Sequence, residues 1–464
     1  MRREPMNILI KNATIVSMGS SGVINNGQIL IEGTRIVSIA PQNETTSDIE
    51  TTVDQVIDAT GKIIMPGLID SHFHTCQHLM RGMGAAIARS GTRHPFWKNY
   101  LIPFESQLTP EDVYLSGVAA YTNLIRVGTT CFAEHGGRYP EQLVKAAENV
   151  GIRGLIAIST MDMDTGLPNL PDNMLFSTEE AIEKNLEVIQ RWPFKNNDDN
   201  SLLRGVFSLR QITVCTPQLI QKISEMAAEY NTMIQTHANE GHYEIFHALD
   251  HHGMRPANYL ASLDFLNSNV IAAHSVLLSD EEVDLYAKHQ VGVAHCPSPN
   301  FSSLGMAKLV QMKKLGIKIG IGTDGANRGS LDLFEAMKLS GIAQSLHYGT
   351  PYLDDNVINP FELVTMATLG GARVCGLDKE IGSLETGKRA DLLILNPGLN
   401  ALPIDDPYFA IINSLRGSDV NDVIINGQIV MRNSKILNVD ENEIAREVSI
   451  RAPQLRQTIL DNIN

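Results

Sequence analysis

The sequence predicts an α/β protein: a (β/α)8 barrel with a small β-sandwich assembled from both chain ends. Three observations carry this. Short runs apolar on both faces alternate with helical stretches through the middle of the chain, half-polar β texture occupies both termini, and several of the central runs end in a histidine or aspartate.

Taken in order, the first 60 residues alternate apolar and polar positions in "ILIKNATIVSM", "GQILIEGTRIVSIAP" and "QVIDATGKIIMPG". Gly, Asn and Pro punctuate these pieces, which marks antiparallel strands. The central runs follow as "GKIIMPGLIDSHFH", "GTTCFAEHG", "IRGLIAIST", "LRGVFSLRQITV", "TMIQTHANE", "NVIAAHSV", "VGVAHCPS" and "IKIGIGTDG". Runs apolar on both faces suit a parallel sheet covered by helices, and eight of them between about residues 62 and 345 match a closed barrel. Helix starts stand between them: Ser177 with Glu180 and Ser279 with Glu282 have capping-box spacing, and Thr216 precedes Pro217. The polar stretch 193–201 is expected to be an exposed loop. Sheet texture returns in "ADLLILN" and "VNDVIINGQIVMRN". The predicted division is 1–61 and 389–464 for the sandwich, the latter with a C-terminal helix, and 62–388 for the barrel.

Composition narrows the function. Of 464 residues, 43% are hydrophobic and 19% charged, as in an ordinary globular enzyme. A formal charge of -15 disfavours nucleic acid, whose phosphates are bound by Lys and Arg. Five dispersed cysteines without a C-x-x-C pair suggest neither a disulfide framework nor a cysteine zinc site. No secretory h-region and no run of about 18 apolar residues occurs, so no membrane association and a cytoplasmic location are expected.

The chemistry concentrates in His72 and His74. Alternate residues of a strand point the same way with Cα atoms roughly 6.6 Å apart. Two imidazoles so placed can share a metal at about 2.0 to 2.1 Å from each nitrogen. His237, His274 and Asp324 each end a further run, and the strand ends of a barrel converge on its active site. Imidazoles with one carboxylate suit zinc or ferrous iron rather than calcium or magnesium. Glu240, three residues after His237, can stand over such a metal without ligating it and move a proton from water to a substrate nitrogen. Asp324 can help deprotonate that water, and His274 can polarise the group under attack.

These segments together resemble the amidohydrolase superfamily, in particular the cytosine, guanine and adenosylhomocysteine deaminases and the triazine hydrolases. "PGLIDSHFH", "HANE", "AAHS", "GIGTDGA" and "IGSLETGKRADLLIL" carry the likeness, which spans nearly the whole chain. The resemblance implies one divalent metal, zinc or iron, held by His72, His74, His237 and Asp324. It also implies Glu240 as proton shuttle and His274 near the attacked carbon. The implied reaction is hydrolytic removal of an amino group from an aromatic heterocycle: a purine, a thioadenosine or adenosylhomocysteine-like nucleoside, a pterin, a pyrimidine or a triazine. The lysine-bridged two-metal branches place a lysine on the fourth strand, and "VFSLRQITV" has none. Two departures bear on substrate. The histidine that nucleoside deaminases carry just after the fourth strand is replaced by Arg210, Gln211, Ile212 and Thr213, and "GTDGANRGSL" is one residue shorter than the usual loop.

Gln77, Trp97, Arg210, Gln211 and His295 are the candidate substrate contacts of a small heterocyclic molecule. Met80, Met83, Trp97 and Phe104 are expected to wall its pocket. His78, His135, His247, His251 and His252 are read as structural or bordering. Alternatives are hydrolysis of another bond, such as triazine dechlorination or opening of a cyclic amide, and a silent metal-stabilised binding protein. A homo-oligomer, dimer or tetramer, is expected. "GIGTDG" formally satisfies G-x-G-x-x-G, but no acidic residue follows at dinucleotide-site spacing, and no H-x-E with P-C-x-x-C marks a base-flipping deaminase.

Overall fold

Strands apolar on both faces are stable only when helices cover one side and other strands' side chains fill the other, and the central runs meet that demand by closing into a ring. The computed structural model describes residues 6–42, 51–166, 170–196, 198–327, 329–354 and 357–463. The leading "MRREP", Asn197 of the polar stretch and Arg328 of the loop after Asp324 lie outside the described residues.

The barrel strands are, in order, Leu68–Phe73, Thr129–Glu134, Arg153–Ile156, the pair Leu203–Gly205 and Phe207–Gln211, Ile234–Ala238, Val270–His274, Gly292–His295 and Lys318–Ile321. All neighbouring ladders are parallel. Two seams complete the ring. The third strand pairs with Leu203–Gly205, and the chain just beyond it reaches Phe207–Gln211 through a parallel bridge between Thr160 and Leu209. The eighth closes on the first where the Asp324 N–H donates to His72 C=O at 3.0 Å. The fourth strand is broken at Val206, whose N–H turns to Ile156 C=O at 2.9 Å.

The intervening helices start as their sequences dictate. Ser177 and Ser279 each accept from the N–H three residues on, and Glu180 and Glu282 return the bond. Thr216 caps Pro217–Glu229 by accepting from Leu219 N–H. Such caps contribute about 1 kcal/mol each. Among the described residues no helix is long and apolar enough to cross a membrane.

A mixed nine-stranded sheet draws on both termini: Asn7–Val16 lies between Val23–Glu32 and Ile63–Pro66, and Leu392–Leu395 pairs with Ile63–Pro66. Its own core is largely isoleucine, including Ile8, Ile10, Ile29, Ile31 and Ile394. The run "GKIIMPGLIDSHFH" therefore serves two bodies, with Ile63–Pro66 in the terminal sheet and Leu68–Phe73 in the barrel. Gly67 is the crossing point: a Cβ there would lie 1.9 Å from Thr130 Oγ1, so the chain passes the Thr130 side chain only because Gly67 has none of its own. At the far end Asn426 and Gly427, both with positive φ, turn the hairpin Val420–Ile425/Gln428–Arg432. Helix Glu441–Ile463 then returns to the barrel, where Arg451 forks onto Asp112 at 2.6 and 2.8 Å.

One buried ion pair ties sheet to barrel. Arg153 of the third strand donates to Asp391 at 2.6 and 3.0 Å and to Asn426 Oδ1 at 3.1 Å, and Asp391 also accepts the Asn426 N–H at 2.7 Å. Removing one partner strands a charge in the interior. Asp391→Ala is accordingly expected to destabilise the protein by about 3–5 kcal/mol in denaturant unfolding, with a smaller loss in an Arg153→Met/Asp391→Leu double variant. Equal losses in both would show that the paired charges themselves stabilise the junction.

Candidate active site

The convergence at the barrel mouth follows from strand register. His72 is the penultimate residue of its strand and His74 lies just past the end, so the pleat turns both rings inward while Phe73 packs between them against Phe132. His237 pairs with Ala273 and Ala238 with His274, which sets the two imidazoles on adjacent strands one residue out of step. His274 and Asp324 have φ of 69° and 65°, a left-handed conformation that is costly for side chains of this kind and typical of functional turns.

The ligand-type atoms meet closely. One atom from each of His72, His237, His274 and Asp324 lies within 4.8 Å of the others. His72 Nε2 is 3.1 Å and His274 Nε2 3.7 Å from Asp324 Oδ1. His74 Nε2 stands 3.1 Å from His237 Nε2 and 3.6 Å from Asp324 Oδ1. His274 thus belongs to the donor cluster itself as well as standing beside Glu240.

Hydrogen bonds behind the rings fix their tautomers. A carbonyl only accepts, so His237 Nδ1 carries its proton toward Arg210 C=O at 2.7 Å and leaves Nε2 a lone pair. His274 Nδ1 bonds Asn300 Oδ1 at 2.9 Å with the same result. Burial lowers the pKa of His72 and drives those of His74 and His237 well below the usual 6.5, with Arg210 adding for His74. Nδ1 of His72 and Nδ1 of His74 are buried with no partner among the described residues, while His72 Nε2 lies against the Asp324 carboxylate. The lone pairs of His237 and His274 Nε2 meet His72, His74 and the Asp324 carboxylate in one cluster, a donor set that fits a divalent cation. Below them Asp70, fully buried, accepts from Thr323 Oγ1 at 2.6 Å, Thr323 N–H at 3.0 Å and His72 N–H at 3.3 Å, tying the first strand to the loop that carries Asp324.

Glu240 is set by groups from three elements. Its Oε2 accepts from Tyr243 OH at 2.6 Å and Gln211 Nε2 at 3.0 Å, while Oε1 lies 4.0 Å from His274 Nε2. Tyr243 OH in turn accepts from Trp97 Nε1 and Gln211 Nε2, both at 3.0 Å. A cavity bounded by His74, Trp97, Leu101, Arg210, Gln211, His237, Glu240, His274 and Asp324 opens beside a cleft of about 940 Å3. Met80, Met83 and Trp97 line that cleft, whereas Phe104 is in the core.

The expected substrate contacts separate on inspection. Trp97, Arg210 and Gln211 reach the cavity. Arg210 lays its guanidinium 5.2 Å from the Trp97 ring centroid and keeps a buried Nη1 without a partner. Gln211 spends its amide on Glu240, Tyr243 and Thr213. Gln77 is buried, donating to Glu105 at 2.8 Å and accepting from Asn327, so both ends of its amide are engaged within the protein. His295 is fully buried behind Asn300, 3.5 Å from its amide nitrogen. His135, also fully buried, packs on His237 with ring centroids 3.9 Å apart. Tyr243 and Asn300 escape a reading of the sequence. Tyr243 had a faint signal, three residues past Glu240 at a helix start, and Asn300, 26 residues past its partner, had none.

Comparison with known proteins identifies the family and the fold. The model of the amidohydrolase family matches residues 63–430. A 5'-deoxyadenosine deaminase of Methanobrevibacter smithii is 32% identical over 456 residues, covering 97% of this chain and 98% of that one. A 5-methylthioadenosine/S-adenosylhomocysteine deaminase of Thermodesulfovibrio yellowstonii is 32% identical over 442 residues, covering 94% and 95%. Among solved structures, a zinc-bound adenosine deaminase from Xanthomonas campestris shares the fold with a TM-score of 0.84 at 23% identity, covering 99% of both chains. The zinc complex of atrazine chlorohydrolase from Arthrobacter aurescens does so with 0.83 at 23%, covering 96% of this chain and 100% of that one.

If the lone-pair cluster holds the cation, His72→Ala and His237→Ala should each drop bound metal from about one ion per chain to a small fraction, measured by elemental analysis of folded protein. Full occupancy in both variants would place the metal elsewhere.

Proposed function

Because the chain belongs to the amidohydrolase family, we propose that it is a metal-dependent aminohydrolase that removes the exocyclic amine of an aromatic heterocycle. His72, His74, His237 and Asp324 hold one divalent metal, zinc or iron, with His274 adjoining. Bound there, such a cation supplies Lewis acidity and lowers the pKa of a water molecule from 15.7 toward about 7.

The protein's own groups do the rest. Glu240 takes a proton from the attacking water, whose oxygen bonds to the ring carbon, and passes it to the adjacent ring nitrogen. The second water proton goes to the amine, the carbon–nitrogen bond breaks, and ammonia leaves an oxo product. Tyr243 and Gln211 on Oε2 keep Oε1 turned toward the site through both transfers. Burial holds the Tyr243 hydroxyl well above its usual pKa, so it remains a donor throughout. His274, aligned by Asn300, presents Nε2 to the group under attack. Trp97 supplies an aromatic wall and Arg210 Nη1 a charged donor for an acceptor on the ring.

The observation that carries the proposal is Glu240: one oxygen is fully engaged and the other stands beside the lone-pair cluster. An adenosine-like substrate, the class named for both relatives, is part of the same proposal, and a cleft of about 940 Å3 admits more than a bare base. So are a homo-oligomeric state and a cytoplasmic setting, the latter consistent with five free, buried cysteines.

Glu240→Gln is expected to keep its metal and lose about 10²–10⁴-fold in kcat, read as ammonia release from adenosine-like nucleosides, pterins, pyrimidines and triazines. Near-normal turnover would remove Glu240 from the role, and no ammonia from any substrate would remove deamination. Arg210→Met is expected to cost about 10–100-fold in kcat/KM, the worth of one charge-assisted hydrogen bond, on the substrate whose acceptor it serves. An unchanged kcat/KM would assign the arginine to the scaffold.

A further inference from the structure

Behind Glu240 sits a second carboxyl group that the chemistry above does not use. Glu244 is the third residue of helix His242–His252, and its side chain turns back out of the first turn. Its Oε2 accepts the Glu240 N–H at 2.8 Å and faces the Gln211 amide nitrogen at 3.4 Å. Asn239 has φ of 50°, so the backbone between His237 and Glu240 is held in a left-handed turn that needs external support. The side-chain amide of Asn239 is tied separately to Glu282 at 3.1 Å.

Glu244 is fully buried, and its Oε1 finds no partner. The groups that face it are Glu240 and Tyr243 from its own loop and helix, Gln211 from the fourth strand, and Glu282 and Tyr286 from helix Asp280–His289. None of these is a cation. Arg255, the cation nearby, is spent on Glu282 Oε2 at 2.8 Å and on Leu277 C=O. A charged carboxylate in such surroundings would carry an uncompensated buried charge beside two others.

We infer that Glu244 is a positioning residue that fixes the Asn239–Glu240 turn, and with it Glu240, as a buried neutral carboxylic acid. The inference rests on Glu240 being the proton carrier. Burial, with Glu240 and Glu282 adding, pushes the Glu244 carboxyl up to about 8. Below that pH the protonated acid leaves Glu240 without a second negative charge at its back. Above it, ionisation of Glu244 puts a second, uncompensated negative charge directly behind Glu240, the two carboxylates repel, the turn shifts and activity falls.

The experiment pairs Glu244→Gln, a neutral isostere, with Glu244→Ala, and adds infrared difference spectra of the metal-loaded protein. The expected results are a protonated-carboxyl band at pH 7 in the wild type that is absent from Glu244→Gln, and wild-type kcat that declines above about pH 8. The Gln variant is expected near wild-type kcat at pH 7 with the alkaline decline moved upward. The Ala variant should lose about 100-fold in kcat, as a misplacement of roughly 1 Å does, with KM and bound metal little changed. A Gln variant as slow as the Ala variant, an unmoved alkaline decline, or no acid band at pH 7 would overturn the inference. If Glu240→Gln keeps full turnover, the Glu240 assignment fails. If it is inactive while Glu244→Ala is unimpaired, only the present inference fails.

Discussion

Imidazole nitrogens and one carboxylate oxygen face each other closely across the barrel mouth, and the molecule is built around keeping them there. Left to themselves these groups would reorient to find donors or fill with water. They do not because several of them are gripped from behind. His237 is held by the Arg210 carbonyl and His274 by Asn300, while the segment bearing Asp324 is bonded to the His72 carbonyl and anchored through Thr323 to Asp70. The backbone bond that closes the barrel ring between Asp324 and His72 also sets the distance between two members of the cluster. Fold closure and site geometry are one interaction.

The fourth strand end shows how the same economy extends to the Glu240 carboxylate. Arg210 and Gln211 are adjacent, yet their functions divide by atom. The Arg210 carbonyl fixes an imidazole tautomer while its guanidinium leans on Trp97; the Gln211 amide holds Glu240 and Tyr243. A nucleoside-binding histidine at this position would supply neither a forked donor nor an amide able to bridge two acceptors. Arg210 and Gln211 in that place set together what lines the cavity and what supports Glu240.

Much of this was legible in the sequence because strand physics is local. Burial on both faces announces the parallel strands, and a polar residue at the end of such a run has to face the mouth. That logic locates His72, His74, His237, His274 and Asp324. It fails where partners meet through space. Asn300 lies 26 residues from His274 and Gln211 lies 29 residues before Glu240, and nothing in either segment advertises the pairing. It fails also where a polar residue near a strand end is absorbed by the wall: Gln77 follows His74 by three residues and is bound at both ends of its amide. The domain edge was hidden for a different reason. Ile63–Pro66 and Leu68–Phe73 read as one apolar run, and only the contact of Gly67 with Thr130 reveals that the chain changes sheets between them.

The unpartnered nitrogens of His72 and His74 have an energetic meaning as well. A buried polar atom without a partner costs about 1–3 kcal/mol. Nε2 lone pairs and a carboxylate oxygen packed against one another at the mouth carry a cost of this kind as well. A cation taken up there relieves that cost in the folded chain alone, because the unfolded chain has no such arrangement to offer, and the gain grows with the logarithm of cation concentration over its dissociation constant. Since the same residues sit on the seam between the first and eighth strands, the gain falls on the bond that closes the ring. The site thus stores in the fold the misfit that a ligand is needed to resolve, and affinity for that ligand is the form in which the stored cost is recovered.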